Sequence, residues 1–431
     1  MKREKDTNSS ERTKNLLTLS VDEIVLNSEL YPRQHENEET VARYRTALDR
    51  LPAIAVARRQ TSEGKFVWIL VDGLHRLQAY RLEGIKTIQA EDLGDLTDEE
   101  ILKEAIRRNA GHGRQLDISD KRWNADRLYK RLSGSPEERY SEIAELLSIT
   151  IATSKKYCEE ARRNEKEIQQ EKAWNVWLDC FSEREISEQI KIPQQTINGW
   201  VTEKRNDTEF GQEPDSRQHL DIWTFTPKFD EAYIEKMEEL VLEHVIWLYT
   251  KPGKIVFAPM VGTGTIIHVA KRMGRRIWAS DVEPHTPTLP IHKHDITTGW
   301  PPDAPPSVDF VFLNPARWQD AKGKSGENKA DLGKSFDEFI KWWRKINQIC
   351  KSHVAQNNRL ALTVGPTEID DNLAEHTFQM WRVCADAGFL TEHHIIVPYE
   401  RDVSDVQIES ARKERKLFSG YRELVIMCKA K

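Results

Sequence analysis

The stretch Ile255-Val256-Phe257-Ala258-Pro259-Met260-Val261-Gly262-Thr263-Gly264-Thr265 decides the fold. An apolar run enters a glycine-rich turn, and a helical pattern over 266–273 leaves it. A second apolar run, Ile277-Trp278-Ala279, ends in Ser280-Asp281. A third, 308–313, ends in Asn314-Pro315-Ala316-Arg317-Trp318. Strand, glycine turn, helix and a strand closed by an acid make the pattern of a doubly wound α/β nucleotide site. Glycine lets backbone approach a ligand closely, and an acid about twenty residues on can take ribose hydroxyls.

Outward from this stretch, the chain's 431 residues leave room for two or three domains. A formal net charge of -6 means that any nucleic-acid surface is a local patch rather than a global basic field. The five cysteines, Cys158, Cys180, Cys350, Cys384 and Cys428, show no CxxC pair and no metal-ligand spacing, so free thiols are expected and no metal site. No apolar run reaches membrane-spanning length, and the polar start is unlike a signal peptide. A soluble cytoplasmic, nucleoid-associated protein is expected, with residues 1–13 as a disordered tail.

The stretch from Pro252 to Gln319 resembles the cofactor and catalytic motifs of DNA amino-methyltransferases, which make N6-methyladenine or N4-methylcytosine. The resemblance implies S-adenosylmethionine as cofactor. It places Pro259, Gly262 and Gly264 under the methionine part, Asp281 at the ribose and Asp295 at the adenine amino group. The family's turn begins Asp-Pro-Phe, whereas this one begins Ala258-Pro259-Met260, so the acid that helps hold the methionine ammonium is missing. The family's catalytic motif is Asp/Asn-Pro-Pro-aromatic. Its side chain and a proline carbonyl accept hydrogens from the exocyclic amine and localise its lone pair, while the aromatic stacks on the flipped base. Here Asn314 and Pro315 keep the acceptors, Arg317 stands at the aromatic position and Trp318 follows. A plain Asn-Pro turn closing a strand is the competing reading of these residues. The segment 220–229 is expected beside the cofactor. A helix is expected over 231–249, with Ile234, Met237, Val241, Val245 and Leu248 on one face. Residues 319–334 have the composition of a loop near the target base. The helix over 336–350 is expected to bury Phe339, Trp343 and Ile346.

Upstream, the apolar run Phe66-Val67-Trp68-Ile69-Leu70-Val71 feeds Asp72-Gly73-Leu74-His75-Arg76 at a helix start, an arrangement that favours an anion. Gly73, Arg76 and Ala79 match the GxxRxxA box of ParB-like proteins, whose fold is shared with sulfiredoxin. The sulfiredoxin cysteine position is Leu74, which excludes that chemistry. The resemblance implies a phosphate site at Gly73, His75 and Arg76, completed by Asn109 and His112, with CTP as the ligand. The same basic residues, with Arg107, Arg108 and Arg114, serve equally as DNA phosphate contacts.

Residues 117–205 read as all helix. Two helix–turn–helix patterns fall within it, one over 140–157 and one over 182–201. Lys155 in the first and Gln194, Gln195, Thr196 and Asn198 in the second are the residue types that reach DNA. The usual turn glycine is absent from both, and ordinary helical hairpins are the competing reading. The charge-rich 159–172 is expected to be a solvated helix.

The expected architecture is multidomain. It has a small α/β ParB/sulfiredoxin-like domain over 14–116, a helical helix-turn-helix region over 117–205, a linker over 206–218 and a Rossmann-like α/β methyltransferase domain over 219–431. Two functions follow. One is a DNA methyltransferase with double-stranded DNA as partner. The other is a DNA-binding regulator, or a ParB-like partition or defence factor, that keeps the methyltransferase fold without turnover and takes CTP. Neither needs a membrane, and a homodimer suits both.

Overall fold

Two large sheets organise the chain, one in each of the units into which it divides, Met1–Ile168 and Gln169–Lys431. The computed structural model describes residues 15–35, 37–60, 66–111, 116–214, 219–225, 233–315, 335–365, 367–369, 372–374, 376–398, 405–414 and 421–429.

In the first unit the strands β1 (Leu16–Ser20), β2 (Ile24–Val25), β3 (Ile54–Gln60), β4 (Phe66–Asp72) and β5 (Thr87–Asp95) form a mixed sheet in the order β1-β5-β3-β4-β2. The apolar run 66–71 expected ahead of the Gly73 turn is β4. Strand β5 escapes a periodicity reading because only Ile88 and Ala90 of it are buried. Helices α1 (Glu38–Arg45) and α2 (Leu74–Leu82) are followed by α3 (Asp98–Gly111), which joins two cores. Its Ile101 and Ala105 pack on the sheet, while Leu102 and Ile106 pack on α4 (Ile118–Arg131), α5 (Pro136–Leu147) and α6 (Ile151–Tyr157). Helix α5 ends at Ser148 with φ +51, so a serine holds the left-handed turn where glycine is customary.

Helix α7 (Glu159–Leu178) runs across the division between the units. The second unit opens with its end, then α8 (Glu183–Ile190) and α9 (Gln194–Arg205). Here Lys191, with φ +58, holds the left-handed turn after α8. The pair has its own core of Trp174, Trp177, Ile186, Ile197 and Val201. Part of the stretch expected as linker is docked structure: Thr208–Gly211 is a 3-10 turn, and Phe210 stacks on Trp174 at 5.4 Å.

The remainder is a doubly wound sheet. The helices are α10 (Tyr233–Tyr249), α11 (Thr265–Arg272), α12 (Phe336–His353), α13 (His376–Asp386) and α14 (Asp405–Glu414). The strands are β6 (Ile255–Pro259), β7 (Arg276–Asp281), β8 (Ile291–Lys293), β9 (Val308–Leu313), β10 (Val354–Val364), β13 (Phe389–Pro398) and β14 (Tyr421–Lys429). The short β11 (Thr367–Ile369) and β12 (Asn372–Ala374) pair apart from the sheet. The order is β13-β14-β10-β9-β6-β7-β8. All neighbouring pairs from β8 to β10 are parallel, and β14 runs antiparallel to β10 and β13.

Alternate residues of each strand serve opposite faces. Val256, Ala258, Ile277, Ala279, Phe310 and Phe312 share a core with α10 and α11. Phe257, Trp278, Val311 and Leu313 share the other with α12 and α13. A column of rings runs through the second core in the order His353, Trp300, Phe257, Trp278, His292, with centroid spacings of 4.0, 4.1, 5.5 and 4.4 Å. As expected, α12 buries Phe339, Trp343 and Ile346. The expected face of α10 holds in part: Val245 is buried and Val241 packs against the same core, joined by the buried Leu242 and Ile246, whereas Leu248 is exposed. The side chains of Ile234 and Met237 lie outside the described residues, as does the 1–13 tail.

Candidate active site

The helix after β6 packs on one face of the sheet and the helix after β9 on the other. Neighbouring parallel strands whose connections leave in opposite directions open a crevice beyond their carboxyl ends, the usual ligand site of such sheets. The two motifs singled out in the sequence both end there. β6 pairs with β9 through Val256–Phe310 and Phe257–Val311. Continuing that register brings Asn314 level with Met260.

The glycine turn is held by β7. The Met260 and Val261 amides both donate to the Ser280 carbonyl, at 2.7 and 3.2 Å. This draws Met260 into the left-handed region at φ +79, which costs a residue with a Cβ about 1–2 kcal/mol. The Gly262 amide donates to Asp281 Oδ2 at 3.0 Å, and the Glu283 amide to Oδ1 at 3.0 Å. Each carboxylate oxygen retains a second lone pair for a hydroxyl donor. Gly262 (φ +54) has open space where a Cβ would stand. Gly264 (φ +87) does not: a Cβ there would lie 2.5 Å from Leu289 Cδ1. One glycine therefore leaves open space beside the backbone, and the other serves packing at the start of α11.

Pro259 closes β6 and is buried. Ala258, at the position where the resemblance leads one to look for an acid, is 1% exposed within the apolar core. Asp295 accepts from the Thr297 amide at 2.9 Å and the Thr297 hydroxyl at 2.8 Å, both through Oδ1. Asn314 is half-buried, and its side chain has no hydrogen-bond partner among the described residues; Pro315 is buried. Arg317 and Trp318 lie outside the described residues, as do 226–229 and 316–334. The described part of the segment 220–229 lies along β13: the Trp223 amide donates to the Ile396 carbonyl at 2.9 Å, and its ring meets that of the buried His244 at a tilt, with centroids 5.5 Å apart. Sequence reasoning missed Ser280 and Met260. The first acts through its carbonyl, and the second by its backbone angle, so neither leaves a side-chain signature.

At the other candidate site, in the first unit, Gly73 caps α2 with φ +106, and a Cβ there would lie 2.6 Å from Ile54 Cγ2. Arg76 is turned inward: it donates to the Pro52 and Ala53 carbonyls at 2.9 and 2.6 Å and pairs with Asp72 at 2.7 Å. His75 Nε2 accepts from the Asn37 amide at 3.0 Å. The buried Asn109 accepts from Arg33 Nε at 3.1 Å. Tyr31, between these groups, accepts from the Leu74 amide at 3.2 Å, and burial pushes its phenol up to about 12. The loop carrying Tyr31, Arg33 and Asn37 thus touches both Gly73–Arg76 and Asn109. His112 and Arg114 lie outside the described residues. Arg108 is bound to Glu91 and Glu104, and Arg107 is exposed.

Among the DNA-contact candidates, Lys155 pairs with Glu137 at 2.8 Å in the first unit. Gln194, Gln195, Thr196 and Asn198 are exposed at the start of α9 in the second, around the buried Ile197.

A family model described as DNA methylase matches residues 36–287, more than half of the chain. A stretch of 74 residues is 38% identical to the type II methyltransferase M2.DpnII of Streptococcus pneumoniae, covering 16% of this chain and 28% of that protein. The chain thus spans well under half the length of that relative. Among solved structures, the chromosome-partitioning protein ParB of Caulobacter crescentus bound to its parS site is 17% identical over 33% of this chain and 70% of that one, with a TM-score of 0.25. A SAM-dependent methyltransferase of Archaeoglobus fulgidus is 13% identical over 46% of this chain and 100% of that one, with a TM-score of 0.29.

Proposed function

This chain belongs to the DNA methylase family, and we propose that it is an S-adenosylmethionine-dependent DNA methyltransferase acting on adenine N6 or cytosine N4. The observation that carries this reading is a convergence at one switch point. A glycine turn fastened to Asp281 and a half-buried Asn314, without a hydrogen-bond partner among the described residues, end adjacent parallel strands.

The residues fit the cofactor in part. Open space at Gly262 admits a ligand against the backbone, and Asp281 keeps acceptor capacity for ribose hydroxyls. Asp295 Oδ2 remains for the adenine amino group, since only Oδ1 is committed to Thr297. When bound, the cofactor supplies a methyl made electrophilic by a sulfonium. The chain's own part is to orient the target. The Asn314 amide oxygen and the Pro315 carbonyl accept the two hydrogens of the exocyclic amine, directing its lone pair toward the cofactor side. The flanking apolar strands exclude water. Arg317 and Trp318 are assigned to cover the flipped base.

Under this reading double-stranded DNA is the partner. The helix pairs α5–α6 and α8–α9 act as helix-turn-helix elements, and the first unit's sheet is a ParB-like module. A second reading, DNA binding without turnover, draws on Ala258, which gives the methionine ammonium no carboxylate from within an apolar core. For the Gly73 site, CTP is the proposed ligand, with Asn109, His75 and His112 beside it. The committed bonds of Arg76 make its task there to hold the loop before β3.

Calorimetry of the full chain with S-adenosylmethionine tests the proposal. Saturable heat is expected at micromolar to millimolar cofactor, and no heat at millimolar cofactor sinks it. Titration with CTP, with Arg76→Ala alongside, decides the second site: no binding by either form removes CTP.

A further inference from the structure

Helices α8 and α9 fold with the seven-stranded sheet, yet they are seated on the rim opposite the crevice. Arg276, the first residue of β7, donates through Nε to the Trp177 carbonyl at 3.2 Å and through Nη2 to the Phe181 carbonyl at 3.2 Å, and its guanidinium lies 4.9 Å from the Trp177 ring centre. Lys271, near the end of α11, pairs with Asp179 at 2.5 Å. Arg275, 1% exposed, donates to the Phe210 carbonyl at 2.5 Å. Gly253 and Gly274 leave the space that the helical segment fills: a Cβ at either would meet Arg205 at 2.8 Å or Phe210 at 2.6 Å. Besides Lys271, the sheet-side positions 253, 274, 275 and 276 precede β6 or β7 or begin β7, whereas Gly262 and Asn314 follow β6 and β9 and Asp281 ends β7. From Arg276 to Asp281 the strand rises about 17 Å at about 3.3 Å per residue.

The exposed side chains at the start of α9 are amides and a hydroxyl: Gln194, Gln195, Thr196 and Asn198. These match the donor and acceptor pattern of base edges in a major groove. The core that supports them, around Trp174, Trp177, Ile186 and Ile197, contains no residue of the sheet. The reading face is therefore carried on a separate small body, clamped at one rim.

Resting on the methyltransferase reading above, we infer that α9 reads duplex DNA at a place separate from the base taken at Asn314, with Arg276 as the positioning residue that fixes the spacing. The base that is modified then lies outside the segment that α9 recognises. The Arg276 clamp sets that offset in the way a ruler would.

The experiment uses the full chain. A bound sequence is selected from random duplexes, and 2-aminopurine is then scanned through it to find the base that brightens on flipping. Hydroxyl-radical footprints of the wild type are compared with Gln195→Ala and Asn198→Ala, both exposed positions that leave the core intact. The expected result is loss of protection in one patch whose centre lies more than two base pairs from the bright base. Arg276→Ala is expected to keep the patch but spread the bright signal over several positions, and Arg276→Lys to narrow it again. Lost protection within two base pairs of the bright base overturns the inference. So does an unchanged footprint in both α9 variants, and in that case a bright base still supports the methyltransferase reading. A footprint with no bright base at any position removes that reading and this inference with it.

Discussion

The Gly262 amide donates to the Asp281 carboxylate at 3.0 Å, so the acid that ends β7 is part of the turn that follows β6. The two residues are separated in sequence by a whole turn, helix and strand. Any ligand that reaches the Asp281 carboxylate from the crevice must also lie against the backbone at Gly262. Asp281→Ala removes the acceptor for two amides, those of Gly262 and Glu283. Its expected effect is at least a tenfold loss of S-adenosylmethionine affinity, about 1.4 kcal/mol, read by calorimetry. An affinity equal to wild type would show that the acid serves only the turn.

The two glycines of the turn are expected to respond differently. Gly264→Ala places a Cβ against Leu289 at a left-handed angle, so unfolding stability falls by about 1–3 kcal/mol in a denaturant titration. Gly262→Ala meets no neighbour, so it costs only the backbone term, about 1 kcal/mol, while cofactor affinity drops because the methyl occupies the open space. Equal stability losses with unchanged affinity at 262 would contradict this division of labour.

Ser148 and Lys191 hold left-handed turns after α5 and α8 with φ of +51 and +58. Replacing either with glycine relieves that strain at an exposed position. Each single variant is expected to gain about 0.5–1 kcal/mol in chemical denaturation. A loss at both sites would mean that their side chains make contacts that outweigh the backbone cost.

Tyr31 gives a pH dependence of known sign. Burial raises its phenol from 10.0 to about 12 in the folded chain. The unfolded chain therefore ionises first, and the folded state loses stability between pH 10 and 12, by about 3 kcal/mol in all at about 1.4 kcal/mol per pH unit. Below pH 10 this residue contributes no slope. Tyr31→Phe is expected to flatten the alkaline limb, at a cost of about 1 kcal/mol for the Leu74 amide left without its acceptor. The measurement is the denaturation midpoint across pH 8 to 12.

Much of the second unit was legible because its chemistry and its geometry share residues. The runs that become β6, β7 and β9 are continuous and apolar since both faces of a parallel sheet are covered. Their ends carry Gly262, Asp281 and Asn314, and the fold brings those ends together. β5 was not legible, since a strand with two buried residues in nine shows no alternation. The face of α10 was misplaced in part because apolar residues nearly surround the helix, and Leu248 satisfies the spacing without being covered. Arg76 shows a different limit. Its motif gives a residue type and a position, but whether a guanidinium faces a ligand or the Pro52 and Ala53 carbonyls depends on the loop before β3. The seating of α8–α9 on the sheet was hidden for the same reason, since Arg275, Arg276 and Phe210 act through carbonyls and ring faces rather than through a motif.

The most direct measurement follows the methyl group. The full chain is incubated with labelled S-adenosylmethionine and unmethylated DNA, with Asn314→Ala beside it. Label is expected in N6-methyladenine or N4-methylcytosine for the wild type. For Asn314→Ala the rate is expected to fall at least a hundredfold while cofactor affinity stays within twofold. No label from the wild type at saturating cofactor, or equal label from both forms, would contradict the assignment of this crevice as a methyltransferase site.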